Sequence, residues 1–249
     1  MMFHPDKCNT LPITRSRRPF NTAYQLHNHS LETVPSAKYL GVTIRRDFCW
    51  NEHIDNIAIK ASKTLGFLRR NLKISSLCIK EKAYKAFVRP ILEYASSVWD
   101  PSKQKSIDRL EAVQRRAARF VLNKFHNTSS VNLMLDSLGW PSLEQRRKTS
   151  RLLTLFKITR GLLHCPSIHS KLTPPPPRLR RTHDTQFSRI KCRTAYRQTS
   201  FLPRTIADWN ALPQEVVDAK TVDTFGTRVS HHLSGNSYIQ QFPLLQTPA

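Results

Sequence analysis

The stretch Lys103–Lys124, KQKSIDRLEAVQRRAARFVLNK, decides how the chain reads. At 3.6 residues per turn, Ile107, Leu110, Gln114, Ala117, Ala118 and Val121 share one face. Lys105, Arg109, Arg115, Arg116 and Arg119 share the other. One side suits a core. The opposite side is either an ordinary solvated bundle face or a row of cations for an anionic partner.

The same period extends on both sides. Upstream, Ile54, Ile57, Ala58, Ala61, Leu65, Leu68 and Leu72 form an apolar stripe from Trp50 onward, with Arg69 and Arg70 near its end, where cations suit the helix dipole. A second helix is predicted from about Lys80 to Trp99, kinked or split at Arg89 because Pro90 lacks an N–H. Asp100-Pro101-Ser102 is read as ending that helix and capping the next. Downstream, a short helix spans about Ser130–Leu138. Another runs from Ser142 to about Leu163, with Arg146, Arg147, Lys148 and Arg151 in its first half. Helices joined this closely form an α bundle.

Residues 1–49 have a different texture. Short strand and turn signals precede Ala37–Ile44, a β-branched and aromatic stretch around one glycine. Too few strands are present to close a sheet, so the segment reads as the edge of something larger. At the other end, Pro174–Pro177 predicts an extended spacer. Beyond it, Arg178, Arg180, Arg181, Arg189, Lys191, Arg193 and Arg197 face a single acid, Asp184, with Phe187 and Tyr196 interleaved. That composition suits single-strand binding by phosphate neutralisation and stacking, and equally a solvated basic linker. Short helices are expected around Trp209 and over Val222–Leu233.

The predicted fold is therefore mainly α. It has a β remnant at 1–49, a helical bundle at 50–172, a Pro-rich linker at 173–182, a basic segment at 183–233 and a frayed tail at 234–249.

Composition limits the function. Lys and Arg number 40 against 17 Asp and Glu, a formal charge of +23 over 249 residues. An excess that large repels itself unless partly neutralised, which points to nucleic acid ahead of an anionic membrane. No apolar run suits a spanning helix, and no signal peptide is visible, so an intracellular location, nuclear or cytoplasmic, and no membrane partner are expected. The five cysteines are scattered without a CxxC pair, which argues against a disulfide framework. His164, Cys165, His169, His183 and Cys192 lack the spacing of a zinc site, and no metal ligands are assigned. No Gly-rich phosphate loop, HExxH or GxSxG motif occurs, and no two acidic residues are adjacent. Two-metal phosphoryl transfer needs clustered carboxylates, so the chain alone is not expected to be an enzyme.

Five segments, in order, carry a resemblance: KYLGV (Lys38–Val42), VRPILEYASSVWDP (Val88–Pro101), IDRLEAVQRRAARFV (Ile107–Val121), LGWPSLEQRR (Leu138–Arg147) and SFLPRTIADWNALP (Ser200–Pro213). Together they resemble the carboxy-terminal part of jockey-like non-LTR retrotransposon reverse transcriptases. The resemblance implies the end of a polymerase palm, a helical thumb and a basic carboxy-terminal region. FHPDKC (Phe3–Cys8) looks like the segment whose lysine, here Lys7, lies near the nucleotide site. Lys38, Tyr39, Leu40 and Gly41 look like the primer grip that holds a growing 3′ end. The catalytic aspartate motifs of the family are missing. The expectation is thus a fragment of an RNA-directed DNA polymerase without activity of its own, needing no cofactor, with Mg²⁺ belonging to the complete polymerase. Its expected partners are RNA or an RNA–DNA duplex, held non-specifically through Arg109, Arg115, Arg116, Arg119, Arg146, Arg147 and the basic segment, together with an upstream catalytic half. A helical protein with an acidic protein partner, and a nonfunctional relic, are the competing readings.

Overall fold

A computed structural model describes residues 4, 7–14, 16, 18, 22–125, 130–176 and 182–235. It is mainly helical, as the periodicity predicts, and divides into two compact units. The first comprises residues 1–95 and 103–129, the second 96–102 and 130–249.

The first unit begins with six short strands. β1 (Asn9–Thr10) pairs in parallel with β4 (Glu32–Thr33), and β2 (Gln25–Leu26) pairs with β3 (His29–Ser30). The β-branched and aromatic stretch Ala37–Ile44 lies in a hairpin of β5 (Ser36–Tyr39) and β6 (Val42–Arg45). Leu40 and Gly41 both have positive φ, at 45° and 85°, and make the two-residue turn whose twist matches paired strands. No sheet among the described residues exceeds two strands.

After these strands come three helical segments packed on one another. α1 (Asn51–Asn71) buries Ile54, Ala58, Ala61, Leu65 and Leu68. The chain then returns through α2 (Leu77–Ala83), a π-helical turn (Tyr84–Val88) and α3 (Arg89–Glu93). The widened turn lies directly before Pro90, whose ring displaces the carbonyl one turn back and breaks the regular ladder. α5 (Gln104–Leu122) completes the layer, burying Ile107, Leu110, Val113, Gln114, Ala117, Ala118, Phe120 and Val121. Cross-helix pairs give the directions. Ser106 meets Asn51, Arg109 meets Asp55 and Arg116 meets Ser62, so α1 and α5 run parallel. Lys80 meets Asn123 and Tyr84 meets Gln114, so the α2–α3 segment runs against α5.

The second unit holds α4 (Ser96–Trp99), α6 (Val131–Ser137), α7 (Leu143–Thr159), α8 (Pro166–His169), α9 (Ala195–Gln198), α10 (Phe201–Asn210), α11 (Gln214–Val217) and α12 (Val222–Leu233). Ser142 and Thr221 cap α7 and α12 through the backbone N–H of Gln145 and Thr224. The core joins Leu152, Leu155 and Phe156 of α7 to Trp209, Leu212, Val216, Phe225 and Val229. The rings of Phe156 and Phe225 stack with centroids 4.3 Å apart.

The range 50–172, expected as one bundle, contributes residues to both units. Of the expected linker, Pro174, Pro175 and Pro176 are described and belong to the second unit. Pro175 is buried, and Ser188 donates its N–H to Thr173 O and its hydroxyl to Pro174 O, both at 2.8 Å. Segment 183–187 then continues as a strap on α10. Trp209 Nε1 donates to Thr185 O, and Asn210 exchanges two hydrogen bonds with the Phe187 backbone.

Candidate nucleic-acid interface

The surface expected to meet an anionic partner is built on the parallel pair α1 and α5. Their small residues Ala58, Ala61, Ala117 and Ala118 are buried, which lets the helices approach closely. Gln114, 1% exposed, accepts the Tyr84 hydroxyl at 3.0 Å, so a polar group on the apolar stripe is satisfied within the core. The opposite side of α5 carries Lys105, Arg109 and Arg116 exposed and Arg115 and Arg119 half-buried. Lys60 and Lys63 are exposed on α1.

These cations are not equivalent. Arg109 Nε lies 2.7 Å from Asp55 Oδ1, an exposed pair whose positive charge is locally offset. Arg116 donates to Ala112 O and to Ser62 Oγ, neutral acceptors that orient the guanidinium without cancelling its charge. Arg115 reaches Asp108 O at 3.4 Å. Held but uncancelled guanidiniums can neutralise phosphate oxygens with little further ordering cost.

The remaining expected residues divide sharply. Lys7 is exposed, and Phe3, Pro5 and Asp6 of its motif lie outside the described residues. Lys38, Tyr39, Leu40 and Gly41 form the exposed tip of the β5–β6 hairpin. Tyr94 on the turn after α3 holds that tip by donating its hydroxyl to Leu40 O at 3.0 Å. Arg189, Lys191 and Arg193 are exposed, with exposed Arg197 and Tyr196 beyond them. Arg178, Arg180 and Arg181 lie outside the described residues. Phe187 is not available for stacking as expected; it packs on the core of the second unit, 6.1 Å from the Trp209 ring.

Arg147 is the plainest correction. Its side chain is fully buried, with Nε 2.8 Å from Asp100 Oδ1. Arg151, equally buried, donates Nε to Asp100 Oδ2 at 2.8 Å and lies 3.0 Å from Asp208 Oδ2. Arg204 adds a third guanidinium to Asp100 at 3.2 Å, and Lys148 joins Asp208 at 3.0 Å. Burial lowers the Arg151 pKa and the nearby Arg204 charge lowers it further, while Asp100 and Asp208 pull it back up. Asp100 is therefore a core counter-ion and not the expected helix cap. The α5 N-cap is Lys103, and it makes no side-chain cap bond. Arg147 is removed from the phosphate-contacting set because a buried, paired guanidinium cannot reach a phosphate. Arg146, its half-buried neighbour, stays in the set.

Sequence did hold a signal for this cluster. Leu143, Arg147, Arg151 and Leu155 recur every four residues, so two arginines interrupt one apolar stripe. Arginines in that position require a buried acid, and Asp100 sits 47 residues away from the first.

Fold and surface together define a mainly helical, strongly basic chain with orientated arginines along one helix pair. An alignment over 124 positions, covering 46% of the chain, is 29% identical to a protein described as a probable RNA-directed DNA polymerase from transposon X-element in Drosophila melanogaster. The match spans 13% of that protein's length, and it relates this region to a retrotransposon reverse transcriptase. No family model and no solved structure matches the chain. Among the described residues, no helix is long and apolar enough to cross a membrane.

Proposed function

We propose that the chain is the nucleic-acid-holding, thumb-like part of a jockey-like retroelement RNA-directed DNA polymerase, and that it binds RNA or an RNA–DNA duplex without reading its sequence. The observation that carries this is the similarity to the transposon polymerase. The +23 charge and the orientated cations of α5 supply the physical means. Phosphates would be met by Arg115, Arg116, Arg119 and Arg146, with looser contacts from Arg189, Lys191 and Arg193. The exposed hairpin tip at Lys38–Gly41 is the place where a primer end would rest under this reading. With its 17 acids dispersed along the sequence, the chain is proposed to hold a strand and not to extend one.

Fluorescence anisotropy on a labelled RNA–DNA duplex over a salt series tests it. Neutralising about 5 phosphates gives a log–log slope of about −3.5 to −4.5. Arg116→Gln should reduce the slope by about one, with equal effect on unrelated sequences. A slope near zero, or tighter binding to polyglutamate than to nucleic acid, rejects the proposal. Addition of primer, template, Mg²⁺ and nucleotides should give no extension product.

A further inference from the structure

The end of the first unit where α1 stops, α2 starts and α5 stops presents apolar side chains to solvent. Ile74 is 101% exposed, Ile79 51%, Leu77 47% and Phe125 51%. Lys80 fixes these pieces together. Its ammonium is buried, donates to Asn123 Oδ1 at 2.8 Å, and lies 5.5 Å from the centre of the Phe120 ring. The protrusion is thus a held feature of the fold.

Cations surround it. Arg69, Arg70, Lys73, Lys82 and Lys124 are exposed there. The acid within the same stretch, Glu81, is paired with Lys85 at 2.5 Å. Arg69 stands over the Phe125 ring, 5.2 Å from its centre, so one ring face carries a guanidinium while half the side chain remains open. Exposed apolar side chains among cations suit an anionic partner with flat or separable apolar surfaces. Unpaired bases satisfy both demands, since phosphates meet the collar and each base offers a face to Phe125 and Ile74. An acidic helix would need a continuous apolar groove, whereas Ile74 stands fully in solvent.

We infer that this bundle end is a second nucleic-acid site, which stacks on unpaired bases of a single strand or a strand junction. It rests on the nucleic-acid reading above but is distinct from the α5 face, because it is built from apolar side chains at the helix ends, and its grip should be partly independent of salt.

The test uses the full chain with a single-stranded oligonucleotide carrying 2-aminopurine, in a salt series. The variant I74S/F125S leaves charge unchanged and replaces exposed side chains, so its circular dichroism melt should match that of the parent. Its affinity should fall about tenfold at every salt concentration, with an unchanged slope and loss of 2-aminopurine quenching. Lys73→Gln/Lys124→Gln should instead reduce the slope. Parental affinity and quenching in I74S/F125S overturn the inference while leaving the α5 proposal standing. Preferential, variant-sensitive binding to phosphatidylserine vesicles or to polyglutamate also overturns it, and identifies a lipid or protein partner. Absence of any nucleic-acid binding by the parent chain overturns both readings.

Discussion

Replacing Asp100 by Ala should unfold the second unit more readily than any surface substitution. The Asp100 carboxylate, 4% exposed, is shared by Arg147 at 0%, Arg151 at 1% and Arg204 at 22%. Removing it leaves two fully buried guanidiniums, with Asp208 still beside Arg151. Breaking one partner of a buried pair costs about 3–5 kcal/mol, because the remaining charge has lost both water and counter-ion. For a unit of this size that corresponds to a fall of roughly 10–20 °C in its unfolding midpoint. The assay follows intrinsic fluorescence in urea. Of the four tryptophans, Trp99, Trp140 and Trp209 are buried in the second unit, so emission reports chiefly on it. Asp100→Asn should cost less, since an amide oxygen still accepts one Nε–H. The triple replacement D100L/R147M/R151M should recover most of the loss, because it removes the stranded charges along with the acid. An unfolding free energy for Asp100→Ala within about 0.5 kcal/mol of the parent's would refute the reasoning, as would a triple variant less stable than the single one.

Acid pH should destabilise the chain before its carboxylates protonate. His53 Nδ1 accepts the Thr43 N–H at 3.2 Å, and burial lowers its pKa from 6.5. Burial also lowers that of His183, outweighing its bond to the Trp209 carbonyl and the nearby Asp184 and Asp218. Folded chains therefore hold both rings neutral where unfolded chains protonate them. Their stabilisation is complete above pH 6.5 and is lost as pH falls towards the lowered values, at up to about 1.4 kcal/mol per pH unit for each ring. Urea midpoints measured between pH 7.5 and 5 check this, and H53Q/H183Q should flatten the profile. Gly41→Ala should destabilise the hairpin by about 1–2 kcal/mol. Its φ is 85°, and the added Cβ would lie 3.2 Å from Tyr94 Cε1. Hydrogen exchange at Val42–Arg45 would detect the loosening, and unchanged protection would contradict it.

The helices were legible because their cause is local. The spacing of Ile54 to Leu68 and of Ile107 to Val121 places α1 and α5 within a residue or two of their observed ends. Pro90 likewise marks the break between the π turn and α3, since a missing N–H acts on its own turn. Composition alone marks Ala37–Ile44 as strand-forming but does not place the hairpin turn at Leu40-Gly41. Leucine carries no preference for the positive φ it adopts there, at 45°, so only pairing of β5 with β6 reveals the turn.

What sequence alone determined is the mainly helical class, the position of the principal helices and the excess of positive charge. Tertiary structure alone decided which arginines are exposed and which are buried against an acid. Arg116 and Arg147 look alike on a helical wheel as members of basic runs, yet one lies exposed against Ser62 and the other is sealed against Asp100. The difference arises from packing between segments tens of residues apart, and a local pattern contains no information about which distant acid folds back to meet it. The stretch at Lys103–Lys124 predicts a helix with two unlike faces; the parallel approach of α1 is what offsets Arg109 and leaves Arg116 charged.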